Sequence, residues 1–184
     1  MNFKTGKYSI KIVEKSNYNP SSPDDNNSFK NRYLENSDYT LPSQFAISVL
    51  QHEKQLTSAL IAAGGGATSV HKTSLVIAQN NLVICCGNTV FCLEIPSLQL
   101  HWKTKVDEVT AFEIFEIKNG YIIHGELTIS RLDKNGKICW QKSGRDIFTT
   151  LDGKDDFSIK DGVIHAKDWQ NHTYNWDMEG NKLE

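Results

Sequence analysis

The sequence predicts an all-β fold made of repeated four-stranded antiparallel sheets, and two observations predict it. The first is a strand-and-turn unit that recurs and ends in tryptophan. One copy reads Leu82-Val83-Ile84-Cys85-Cys86-Gly87, then Leu93-Glu94 and Trp102; the next reads Tyr121-Ile122-Ile123-His124-Gly125, then Leu132-Asp133, Gly136 and Trp140. A degraded third runs from Phe157 through Gly162 and Asp168 to Tyr174 or Trp176. Self-similarity at roughly 35–40 residues means stacked or radial sheets, because one such unit cannot bury its own apolar faces. The second observation is the density of short apolar or alternating runs after Ser74, each bounded by a turn signal.

Residues 8–14 alternate, with Tyr8, Ile10 and Ile12 on one side and Ser9 and Lys11 on the other, which predicts a half-buried strand. Residues 17–42 begin with a run rich in Asn, Pro, Ser and Asp and predict a mobile loop, with Tyr18, Phe29, Tyr33 and Tyr39 as points that could pin it. Residues 43–63 carry two signals. Alanines and Gln51-His52-Glu53-Lys54-Gln55 favour a helix, whereas the alternation of Phe45, Ile47 and Val49 favours a strand. Two strands joined by a turn is the preferred reading, since everything after them is β.

Four strands then follow at 74–78, 81–86, 89–95 and 99–106, separated by Gln79-Asn80, Gly87-Asn88 and Pro96-Ser97. The middle two are nearly continuous apolar runs, as in strands covered on both faces. The last alternates, with Trp102, Thr104 and Val106 opposite His101, Lys103 and Lys105. The order recurs at 111–117, 121–126, 128–132 and 137–142, and again at 147–150, 156–160, 163–168 and 172–178. Four-stranded antiparallel units repeated around an axis build a β-propeller. Three units are clear, and the N-terminal strands supply a possible fourth sheet. The resulting partition is an N-terminal strand at 1–16, the loop at 17–42 and a repeat domain at 43–184.

A Gly, a short apolar strand ending in Leu-Asp, a turn ending in Gly and a strand carrying Trp resemble the quinoprotein (PQQ-like) propeller repeat. The clearest copy is Gly125, Leu132, Asp133, Gly136 and Trp140, and the resemblance covers about residues 74–180. In such a repeat Asp133 bonds the amides of its own turn, Gly136 takes a positive φ, and Trp140 fills the space between adjacent sheets. The quinoprotein dehydrogenases of this family hold a metal-assisted quinone at the axis, often beside a disulfide between adjacent cysteines. Cys85-Cys86 is such a pair. The chain is nevertheless short for their ring and shows no constellation for the quinone and its cation, so no cofactor is expected.

Composition narrows the function. The chain has 184 residues, 39% hydrophobic and 23% charged, which suits one ordinary folded domain. A formal charge of −2 without a basic stripe argues against a nucleic-acid partner. No apolar run reaches membrane-spanning length, and no signal peptide is legible, so a cytoplasmic protein is expected. Cys85, Cys86, Cys92 and Cys139 then read as reduced, mostly buried thiols.

The candidate sites are few. Gly64-Gly65-Gly66 with Thr68 and Ser69 could approach a phosphate, yet the string lacks a Gly-Lys-Ser/Thr ending and fits a connector better. His124-Gly125-Glu126 matches half of a zinc-deaminase signature without its Pro-Cys-x-x-Cys partner. His165 and His172 lie on neighbouring predicted strands with no third ligand, and the carboxylates of residues 152–156 lack the spacing of a calcium loop. No metal is therefore expected. His71, and Arg145 with Asp146, complete the candidate contact residues. No catalytic set assembles. The expected function is a non-catalytic cytosolic binding protein that presents loops to another protein, with a bacterial immunity-type protein as one subtype; the surfaces to test are residues 20–36 and 64–71. The alternative is a small enzyme, a hydrolase or quinoprotein-related small-molecule binder, in which His71, His124, Glu126 and the glycine loop converge.

Overall fold

The computed structural model describes residues 1–15, 18, 22, 29–35, 40–151, 153 and 156–184. Its regular structure among these residues is entirely β. The first sheet holds β1 (Asn2–Thr5), β2 (Tyr8–Glu14), β3 (Asn31–Leu34), β4 (Ser43–Gln51) and β5 (Lys54–Ala63), in the order β1-β2-β4-β5-β3. The second is a four-stranded antiparallel meander of β6 (Leu75–Ala78), β7 (Asn81–Cys86), β8 (Thr89–Glu94) and β9 (Leu100–Lys105). The third repeats it with β10 (Ala111–Ile117), β11 (Gly120–Gly125), β12 (Thr128–Leu132) and β13 (Ile138–Ser143). The fourth has β14 (Phe157–Lys160), β15 (Val163–Lys167) and β16 (Thr173–Asp177).

Residues 43–63 form two strands. They are joined at His52 and Glu53, whose φ values of 48° and 64° give the left-handed two-residue turn that suits a hairpin. Propensity for helix loses here because Phe45, Ile47, Val49, Ala59 and Ile61 all face one core at period two.

Three expectations need correction. Much of the loop expected at 17–42 lies outside the described residues, Tyr39 included, but Asn31–Leu34 is a strand, paired in parallel with β5. Residues 147–150 are not a strand; they belong to the connector, whose Phe148 is fully buried under the fourth sheet. The third repeat is also shifted in register. The tight turn at Asp161-Gly162 joins β14 to β15, so β16 corresponds to β12 and the turn Asp177–Gly180 corresponds to Asp133–Gly136. Gly180 and Gly136 have φ of 81° and 78°, and Asp177 and Asp133 each accept two amides of their own turn. Asp168 sits at the β15–β16 turn, and Trp176 takes the place of Leu132. A single bridge from Trp176 to Lys182 begins the fourth strand of that sheet.

The sheets stack through three successive cores. Ile10, Ile12, Phe45 and Ile47 of the first sheet meet Leu82, Ile84, Phe91 and Leu93 of the second. The other face of the second sheet, with Val83, Cys85 and Val90, meets Ile114 and Ile123 of the third. Ile122 and Ile129 on the third sheet's far face meet Ile164 and Trp176 of the fourth. Cys85 and Cys86, adjacent in one strand, thus enter different cores, and all four cysteines are free thiols; Cys139 is exposed.

The two conserved-looking places of the repeat act together across sheets. Trp102 of β9 donates Nε1–H to the Lys134 carbonyl at 3.0 Å, and its ring covers Gly136, where a Cβ would overlap it. Trp140 of β13 donates to the Met178 carbonyl at 3.1 Å and covers Gly180 in the same way. Each indole therefore clamps the turn of the following sheet. On the second sheet's own turn, β3 does this work: the Tyr33 hydroxyl donates to the Leu98 carbonyl and accepts from the Leu100 amide, both at 3.0 Å.

Candidate functional site

The connectors between sheets and the turns β7–β8, β11–β12 and β15–β16 gather at one end of the molecule. Backbone bonds lace them together: Asn88 N–H to the Gly64 carbonyl, Glu126 N–H to Thr110, Phe148 N–H to Glu126, and Trp169 N–H to Ile147. Asp107, 4% exposed, fastens this end. Its carboxylate accepts from the amides of Val109, Thr110, Leu127 and Thr128 and from the Thr128 hydroxyl.

The candidate residues Gly64–Gly66, Thr68, His71, His124, Glu126 and Arg145 lie at this end, but they do not all converge. The glycine string is built into the joint between the first and second sheets. Gly64 N–H donates to Glu35 Oε2 at 2.7 Å and Gly66 N–H to the Val109 carbonyl at 2.8 Å. Gly65, at φ 84°, packs too tightly against Asn88 and Val109 for a side chain. Thr68 Oγ1 bonds the Ser43 hydroxyl and accepts from Gly87 N–H. A carboxylate thus already holds the Gly64 amide that a phosphate would seek. Glu126 and Arg145 stand apart from this joint; Arg145 N–H donates to the Tyr174 hydroxyl at 2.9 Å.

His71 and His124 do meet, in a cleft of about 250 Å³ also lined by Thr73, Phe112, Glu113 and Asp156. A β-bulge builds it. Ala111 pairs with Gly125 and Glu113 with His124, so Phe112 is the extra residue that turns Glu113 toward the imidazole. Glu113 Oε2 lies 3.0 Å from His124 Nδ1, and Oε1 accepts from the Thr73 hydroxyl, which is 3.1 Å from His71 Nδ1. His124 Nε2 lies 2.8 Å from the Phe148 carbonyl, and the ring stacks on Phe157 at 4.6 Å.

Both nitrogens of His124 face acceptor oxygens of the fold. Burial works to raise the Glu113 carboxyl. The hydrogen bonds from His124 and Thr73, with the charges of His124 and His71, outweigh it and hold the group below the usual carboxylate range. The four polar atoms of the His124–Glu113 pair are all engaged within the fold. Sequence reasoning found His71 and His124, named Asp156 only within the acidic loop, and missed Glu113 and Thr73. On an ideal strand Glu113 reads as a solvent-facing residue, and only the bulge brings it to His124.

His165 and His172 do not face each other. His165 Nδ1 pairs with Asn175 Oδ1 at 2.7 Å. His172 Nδ1 lies 3.0 Å from the buried Asp168, which also accepts from the Tyr174 hydroxyl at 2.7 Å. Burial pushes the Asp168 carboxyl up, but the bonds from Tyr174 and His172 prevail and hold it low. Among the described residues no three His, Cys, Asp or Glu side chains converge as metal ligands. Asp152, Lys154 and Asp155 of the acidic loop, and most of the 20–36 surface, lie outside the described residues. A quinone of the kind held by quinoprotein dehydrogenases does not fit these residues: the adjacent thiols point into separate cores, and among the described residues no cation-binding donor set accompanies them. No helix among the described residues is long and apolar enough to cross a membrane.

No protein-family model matches the sequence, and no curated protein matches it. Solved structures do match. BamB from Moraxella catarrhalis shares 11% identity at a TM-score of 0.53, over 76% of this chain and 45% of BamB. The computationally designed Ika4 protein shares 12% at 0.51, over 67% of this chain and 78% of its own. The designed Ika8 protein shares 9% at 0.53, over 100% of this chain and 59% of its own. The chain is similar in fold to these β-propeller proteins.

Proposed function

We propose that this chain is a non-catalytic binding protein of the cytoplasm, built on a propeller scaffold of PQQ-like repeats, whose connector end contacts another protein. The PQQ-like reading is supported by the recurrence of one device, an Asp-x-x-Gly turn clamped by the tryptophan of the preceding sheet. The observation that carries the binding reading is the state of the connector-end cleft. A general base must face its substrate, and neither nitrogen of His124 is open to one: Nδ1 lies against Glu113 and Nε2 against the Phe148 carbonyl. Its partner Glu113 is engaged by His124 and Thr73. The same observation weighs against a hydrolase at His124 and Glu126. An immunity-type protein that blocks a toxin belongs to the class this scaffold suits.

The test is partner capture from the source cells with three forms of the chain. Glu126→Lys with Arg145→Glu alters the connector end, and Lys7→Glu with His52→Ala alters the opposite end. A partner retained by the wild type and the second variant, and lost at least about tenfold by the first, supports the reading. Equal capture by all three refutes it.

A further inference from the structure

A second cleft, at the opposite end, has the reverse chemistry: its polar groups are left without partners. Tyr121 is only 6% exposed, yet its hydroxyl makes no hydrogen bond to any described residue. Among the described residues the one fully enclosed side-chain polar atom without a partner is Arg131 Nε, so the Tyr121 hydroxyl is reachable from outside. Tyr121 lines a cleft of about 180 Å³ between the second and third sheets. Burial, with Cys92 and Glu116 nearby, pushes the phenol up to about 12, so it stays a hydrogen donor.

Around it stand Gln79, Asn81, Glu116, Lys134 and Asn135, with His101 beside them. None of these side chains has a hydrogen bond or ion pair among the described residues. Three are carboxamides, each offering a donor and an acceptor in one plane, the pattern that adjacent hydroxyl groups match. The charges of Glu116 and Lys134 cancel, so neither an anion nor a cation is favoured. Ala78 supplies apolar wall. A largely buried tyrosine whose reachable hydroxyl lines a small polar cleft is what a ligand site looks like before it is filled.

We infer that this cleft binds a neutral polyhydroxylated molecule of monosaccharide size, with the Tyr121 hydroxyl donating from its inner wall. The inference goes beyond the partner-binding reading and concerns the other end of the molecule; either can fail while the other stands.

Saturation-transfer NMR on the whole chain tests it, with D-glucose, D-galactose, D-mannose and N-acetyl-D-glucosamine as probes and glycine as a zwitterionic comparison. At least one sugar should give a saturable signal. Tyr121→Phe should weaken it about tenfold or more, as should Asn81→Ala, while His71→Ala leaves it unchanged. Because the fold makes no use of the hydroxyl, Tyr121→Phe should melt like the wild type, which separates lost binding from lost structure. Saturation by none of the sugars, equal affinity in Tyr121→Phe, or binding of glycine in their place overturns the inference.

Discussion

Replacing Gly136 by alanine probes the clamp between sheets directly. Two costs arise. The residue sits at φ 78°, where a Cβ costs about 1–2 kcal/mol. The same Cβ would overlap the Trp102 ring, so the indole must leave the turn it covers. Trp102 is half-buried, so its own truncation to alanine should cost about half of the 3–5 kcal/mol seen for large buried aromatics. Its bond to the Lys134 carbonyl adds about 1 kcal/mol, for a sum near 3 kcal/mol. Gly136→Ala in the wild type should therefore cost about 3 kcal/mol, backbone strain plus about half of the ring's contribution. In a Trp102→Ala background it should cost only the strain, about 1–2 kcal/mol. Urea denaturation of the wild type, both single variants and the double variant gives the coupling, expected at about 1–2 kcal/mol. Additive costs, with coupling below about 0.5 kcal/mol, would refute the clamp.

Three other outcomes follow from the connector end and the cores. Glu113 has a depressed carboxyl pKa, so its contribution is present above its unfolded value of about 4.3 and is lost as pH falls through the lower folded one. Glu113→Gln should flatten that acid limb in a pH series of denaturation midpoints, leaving the part due to Asp168 and Asp177. Asp107→Ala strands four amides and a hydroxyl and should cost on the order of 3–5 kcal/mol by chemical denaturation; a loss under about 1 kcal/mol would show that solvent takes over those donors. Burial pushes the thiols of Cys85, Cys86 and Cys92 up, the last to about 11, whereas Cys139 is exposed. A thiol reagent on native protein should consume one cysteine rapidly, and Cys139→Ser should abolish that phase.

Most of the strand pattern was legible because the second and third sheets bury both faces, and their runs of Leu, Val and Ile leave few alternatives. The reading at 81–86, 111–117 and 128–132 matches β7, β10 and β12 to the residue. It failed where side chains do not alternate. Asn31–Leu34 carries no apolar period because its role is to place Asn31 and Tyr33 on the turn before β9. Ile147–Thr150 looks like a strand only because Phe148 is buried from a connector. The third repeat was read out of register because Asp168 resembles Asp133 in sequence. The true counterpart, Asp177, follows a tryptophan where the other copies have leucine. The connector-end cleft was half visible: His71 and His124 stand out as residue types, while Glu113 depends on one inserted residue. The Tyr121 cleft left no signal, since its polar residues come from five separate segments.

The three cores join each sheet only to its neighbour in sequence, and among the described residues no apolar cluster joins the fourth sheet back to the first. Among the described residues the sheets then pair energetically as a row, and their stability is a sum of intrinsic and nearest-neighbour contributions. The second and third sheets are supported from both flanks and the fourth from one. Opening should begin as fraying at the fourth sheet, whose amides exchange with solvent first, and travel inward to β7 and β8 last.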